Sequence, residues 1–133
     1  MFDHVGVVVS DLKRSAQLYA RILAPLGISI LEKHPRGNGE GWVVMAAGAA
    51  RSPFFVVAAG RPTFWSETSS VGQSPVHLCF SAPSKEAVDR FHAAGLAFGA
   101  RDNGAPGVRR QPFYCAFLID FDGNNVEAGV YLA

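Results

Sequence analysis

Three residues combine metal-binding chemistry with matched positions in the chain: His4, His77 and Glu127. Side chains alternate along a strand, so the face each one occupies is readable from its neighbours two positions away. His4 shares its face with Gly6, while Val5, Val7 and Val9 line the other. His77 shares a face with Cys79 and Ser81, opposite Leu78 and Phe80. Glu127 shares one with Gly129, opposite Val126, Ala128 and Val130. Each bulky apolar side suits a covering helix, and each polar side is thinned to small residues, as a cavity floor would be. Neutral imidazole suits Fe, Mn, Ni, Co or Zn, a carboxylate offsets charge, and three protein ligands leave coordination positions open. Packing alone accounts poorly for the trio, because an unpaired buried Glu costs several kcal/mol.

The elements that must carry these residues repeat. His4 to Val9 reads as a strand, Ser10 can cap a helix with an apolar stripe of Leu12, Ala16, Tyr19, Ile22 and Leu23, and Gly27 closes the helical region. In the second half Val76 to Phe80 reads as a strand, Ser84 as the cap, and Ala87, Val88, Phe91 and Ala94 as the stripe before Gly95. Three β-type runs follow each helix: Ile28 to Glu32, Trp42 to Ala46 and Phe54 to Ala58, then Leu96 to Ala100, Tyr114 to Ile119 and Asn125 to Leu132. Asp122-Gly123-Asn124 forms the tight turn before the last run. The pattern is an α+β chain of two βαβββ modules in a single domain, residues 1–133. Module one covers about 1–60, a linker about 61–74, and module two about 75–133.

Composition narrows the function. Twelve Lys+Arg against 11 Asp+Glu give a net charge of +1, which removes the basic footprint of a nucleic-acid binder and disfavours an acidic trap for cationic drugs. At this length one core can be built without a metal or a disulfide to hold it, so a metal would point to function. Cys79 and Cys115 stand singly in apolar runs and read as reduced core thiols of a cytoplasmic protein. No apolar run approaches the roughly 18 residues of a membrane span, and the N-terminus lacks a signal-peptide pattern.

Phe2-Asp3-His4-Val5-Gly6-Val7-Val8-Val9-Ser10-Asp11-Leu12, the Ala24-Pro25-Leu26-Gly27 loop and the closing Asp120-Phe121-Asp122-Gly123-Asn124-Asn125-Val126-Glu127 together resemble the vicinal oxygen chelate superfamily over the whole chain. The superfamily includes glyoxalase I, extradiol dioxygenases, fosfomycin resistance enzymes and bleomycin resistance proteins. The resemblance implies paired modules whose sheets curl into a cleft around one divalent metal held by His4, His77 and Glu127, with Glu127 as candidate base. It implies a homodimer, which the 49% hydrophobic content also suits. A fourth ligand would fall between Phe54 and Val57, where every residue is apolar, which disfavours glyoxalase I chemistry. The remaining two-His-one-Glu set is similar to the extradiol dioxygenase triad. The expectation is a metal-dependent isomerase, lyase or dioxygenase acting on a small oxygen-rich substrate. The alternative is a non-catalytic dimeric binding protein of the bleomycin-resistance type.

Candidate substrate contacts are Arg109 and Arg110, with Trp42 and Tyr114. The stretch Arg101 to Arg110 reads as a loop carrying three arginines, whose forked donors suit an anionic ligand. Trp42, Phe54, Phe64, Trp65, Phe113 and Tyr114 supply aromatic surface that suits a pocket, the core or an interface. Phe64 and Trp65, outside any strand, are expected to form a lid or a dimer contact. His34 and His92 are expected to face solvent.

Overall fold

The computed structural model describes residues 1–49, 53–72 and 76–133. Positions 73 and 74, the end of the expected linker, lie outside the described residues. The first half runs β1 (His4–Val9), α1 (Leu12–Leu23), a 3₁₀ turn (Ala24–Leu26), β2 (Ile28–Gly37), β3 (Glu40–Ala47) and β4 (Phe54–Ala59). The second runs β5 (Leu78–Ser81), α2 (Lys85–Phe98), β6 (Arg101–Arg110), β7 (Phe113–Ile119) and β8 (Asn125–Tyr131). The strands form two four-stranded mixed sheets, ordered β1-β4-β3-β2 and β5-β8-β7-β6. In each, the strand before the helix pairs in parallel with the last strand of its module. This is the α+β architecture of two tandem βαβββ modules, with sheets that stay open and so suit a curled cleft.

The apolar stripes place the helices. Leu18, Tyr19, Ile22 and Leu23 of α1 and Ala87, Val88 and Phe91 of α2 are fully buried. They join Val57, Met45, Leu118 and Val126 in one core that draws on both halves. Asp11 caps α1, its Oδ1 accepting from the Arg14 amide at 3.1 Å. The expected cap, Ser10, instead gives its backbone N–H to Oδ2 of Asp122 at 3.1 Å. Ser84 caps α2 as expected, accepting from the Ala87 amide. A second tie joins the halves: the Tyr19 hydroxyl donates to buried Asp120 at 2.8 Å. Asp120 also accepts from the backbone amides of Asp122 and Asn124 and from Nδ2 of Asn124. This single carboxylate therefore holds the Asp122-Gly123-Asn124 turn and anchors α1 to it.

The expected strand Leu96 to Ala100 is corrected. Helix α2 runs on to Phe98 and ends at Gly99, whose φ of +102° is the left-handed cap geometry. Gly95 does not stop the helix; a Cβ there would overlap the Leu118 side chain, so glycine lets α2 settle on β7. Arg101 to Arg110, expected as a loop, is β6, paired with β7 through three register shifts. An edge strand tolerates Pro106, which would break a central ladder, and the shifts absorb Gly104 and Gly107. The same edge position lets β2 extend through Pro35 to Gly37, beyond the expected end at Glu32.

Candidate functional site

Strand alternation gives each sheet one face against the helices and one turned away. On the outward face of the second sheet, His77 stands just before β5 and Glu127 in β8, the central neighbour of β5. Their side chains meet at 2.7 Å, Nε2 to Oε2, with the histidine side chain 56% exposed and the glutamate 6%. The Asn125 amide donates through Nδ2 to Nδ1 of His77 at 2.9 Å. Its Oδ1 accepts from Asn103 at 3.0 Å. An amide nitrogen only donates, so Nδ1 is the acceptor on the neutral ring and Nε2–H faces Glu127. Asn125 therefore fixes which ring nitrogen carries the proton.

Cys79 pairs in register with Glu127 across β5 and β8, and Cys115 with Gly129 across β7 and β8, so the two thiols flank the carboxylate. Burial and then the Glu127 charge push the Cys79 thiol up to about 12. Burial and then a hydrogen bond to Glu127 push Cys115 up to about 11, against the opposing pull of Arg109 and Arg110. Both are S–H groups at neutral pH and serve as weak donors beside the carboxylate, not as nucleophiles. Cys115 is a buried core thiol as expected, whereas Cys79 is exposed on the outward face. The alternation that placed it with His77 carried that signal.

His77, Cys79 and Glu127 open onto a cavity of about 510 Å³ that also takes in Arg110, Phe113, Gly129 and Tyr131. A Cβ on Gly129 would overlap the Phe113 ring, so glycine lets that ring lie over the sheet. Phe113 packs on Tyr131 with centroids 4.8 Å apart. The Tyr131 hydroxyl accepts from Nη2 of Arg110 at 3.3 Å.

The other expected contacts lie elsewhere. Arg109 turns back along its own strand and donates to the Ala105 carbonyl. Tyr114 lies on the opposite face of β7, where its hydroxyl donates to Asp89 of α2 at 2.6 Å and Lys85 sits over its ring. Trp42 belongs to the first sheet, stacked on His34 at 4.7 Å with Arg36 over its ring. His34, expected to face solvent, is thus a half-buried residue of β2. His92, expected to face solvent, is 7% exposed on α2, its Nε2 2.8 Å from Oδ1 of Asp102. Ending the helix at Gly95 hid that partner, which the longer helix brings alongside β6.

His4 occupies the outward face of the first sheet. Its ring stacks on Phe54 at 4.6 Å, and its Nδ1 lies 2.6 Å from Oδ1 of Asp3. Within the chain the structure unites His77 with Glu127 but not with His4. Among the described residues no group of three or more His, Cys, Asp or Glu side chains is arranged to hold a metal ion. None of the helices described is long and apolar enough to cross a membrane.

A scan against family models finds no match. A comparison with curated proteins finds none either. Solved structures do match. A glyoxalase/bleomycin resistance protein from Albidiferax ferrireducens T118 is 31% identical, with 99% of each chain covered and a TM-score of 0.73. The fosfomycin resistance protein FosX from Listeria monocytogenes is 16% identical, with 99% of this chain and 93% of that one covered and a TM-score of 0.66. TnmS3, an antibiotic binding protein from Streptomyces sp. CB03234, is 19% identical, with 99% and 96% covered and a TM-score of 0.64. With the same paired modules and nearly a third of its residues shared across the whole length of the first of these, the chain belongs to the glyoxalase/bleomycin resistance/dioxygenase family of the vicinal oxygen chelate superfamily.

Proposed function

We propose that this protein is a metal-dependent enzyme of the glyoxalase/dioxygenase type, acting on a small oxygen-rich substrate. The observation that carries this reading is the buried Glu127 carboxylate paired with His77 at the mouth of a cavity. Water-exposed Lys or Arg would neutralise a structural Glu more simply, whereas His–Glu pairing with open space beside it suits a divalent ion of the Fe, Mn, Ni, Co or Zn series. His77 and Glu127 would hold that ion, with His4 as third ligand. Since one chain does not gather the three, we place His4 of a second copy against His77 and Glu127, in a homodimer whose outward faces meet. A bound divalent ion supplies Lewis-acid polarisation for isomerase or lyase chemistry, or a site for O₂ and substrate together.

The chain's own groups do the rest. Asn125 orients His77, and switching the ring nitrogen that carries the proton requires that the Asn125 amide turn to present Oδ1 and that the Asn103 amide, which now donates to that oxygen, turn with it. Glu127 is the acceptor for a substrate proton. Arg110, held by Tyr131, presents a cation at the cavity wall and favours an anionic substrate group, while Arg109 donates to the Ala105 carbonyl.

The test is elemental analysis of tag-free protein purified without oxygen, beside a His77→Ala control. About one equivalent of metal per site, lost in the control, is the expected result. Protein that stays metal-free after reconstitution would overturn the reading. It would favour instead a non-catalytic binding protein of the bleomycin-resistance type, which the separation of His4 from the His77–Glu127 pair also suits.

A further inference from the structure

A second cavity, of about 420 Å³, lies at the seam between the modules. Among the described residues it shares no lining residue with the His77–Glu127 cavity. Gly6 and Val8 of β1 form one wall and Leu78 of β5 another, with Asn124 and Asn125 at the end. The linker roofs it with Trp65 and the hydroxyl residues Thr68 to Ser70. The roof is built to a fixed height. At Gly72, φ is +75°, and a Cβ would overlap the Asp122 carbonyl, so the linker is pressed onto the same turn that Asp120 organises. Two turns shape the span before it, closed by Trp65 N–H to the Pro62 carbonyl at 2.9 Å and Ser69 N–H to the Ser66 carbonyl at 3.0 Å. Trp65 is half-buried under this arrangement while its neighbour Phe64 is 71% exposed.

Among the described residues, none that lines this cavity is charged. An ion entering it would give up water without a counter-charge, which is costly. A ring would gain the Trp65 face and the Val8 and Leu78 side chains, and the hydroxyls and Asn amides would pair with neutral oxygen functions. We infer that the seam cavity under the linker is a second binding site, selective for uncharged, ring-containing compounds that bear hydroxyl or carbonyl groups. It touches the first site at Asn125, which lines the seam cavity and also donates to His77. The inference stands without any metal at His77 and Glu127.

The probes are 2-naphthol and 2-naphthoate, the same ring with a neutral hydroxyl or an ionised carboxylate at neutral pH. Binding is read by calorimetry and by the NMR signal of the Trp65 indole N–H in Trp42→Phe protein, which leaves a single tryptophan. The expected result is saturable 2-naphthol binding that shifts the indole signal, at least about tenfold tighter than 2-naphthoate. Thr68→Trp, which fills the roof, should remove the binding, and Trp65→Ala should weaken it by about fivefold. Glu127→Gln should leave it unchanged. No 2-naphthol binding, equal affinity for the two probes, binding that survives Thr68→Trp, or binding lost in Glu127→Gln would each overturn the inference. Metal content of the wild type, measured separately, tells such a failure apart from a failure of the enzyme reading.

Discussion

The two modules are built to one plan and differ at the register position that matters most for the site. Counting two residues on from each histidine, Gly6 pairs with Val56 in the first sheet and Cys79 pairs with Glu127 in the second. Val56 stands where Glu127 stands. The first outward face therefore offers a histidine stacked on Phe54 and paired with the adjacent Asp3, and the second offers a histidine held at both ring nitrogens. The lesson is that duplicated backbone does not duplicate a site. A site needs partners on the neighbouring strand, and only the second module has kept a polar one.

The strongest way to break this asymmetry is Glu127→Ala. Metal affinity, measured by competition with a chromophoric chelator, should fall by more than about 100-fold, since losing a ligand costs more than losing its outer-shell partner. His4→Ala in the same assay should fall comparably. If it leaves affinity unchanged, the first module contributes nothing and the site belongs to the second alone.

The join between the modules is tested by Tyr19→Phe. Its hydroxyl is buried and donates to a carboxylate, and burial followed by Asp120 raises the Tyr19 pKa well above its usual value, so it remains the donor. Loss of a bond to a charged acceptor should cost about 2 kcal/mol in urea unfolding. A change below about 0.5 kcal/mol would mean that the remaining donors to Asp120 hold the seam by themselves.

Asn125→Ala sharpens the comparison by making the His77 ring as free as that of His4. Metal affinity should drop about tenfold, the usual cost of an outer-shell partner. The smallest effect expected concerns Cys79. Its raised pKa keeps it an S–H group through neutral and mildly alkaline pH, so alkylation by iodoacetamide should be slow and should accelerate only towards pH 12. Glu127→Gln removes one cause of that rise and should speed alkylation several-fold at neutral pH. Rapid alkylation of the wild type would mean that the carboxylate does not act on the thiol.

Much of this was legible without coordinates, because it depends on local pattern. The alternation around His4, His77 and Glu127, the helix stripes and the Asp-Gly-Asn turn are short-range signals of burial and backbone geometry. Even Val56 lay within the apolar run already marked as lacking a fourth ligand. What local pattern hid depended on neighbours distant in sequence. Gly95 looked like a helix end because nothing local shows Leu118 waiting beneath it. Arg101 to Arg110 looked like a loop because glycine and proline break regular ladders, and only its place at a sheet edge makes them tolerable. Arg109 and Arg110 are adjacent in sequence and chemically identical, yet one turns to its own backbone and the other to the cavity. The difference lies in Tyr131, 21 residues away along the chain and across the sheet. Residue type and period determine which faces are polar and which are buried, since a few neighbouring bonds enforce them. Which polar groups actually meet is decided by strand order and register, which bring together segments that no local interaction connects.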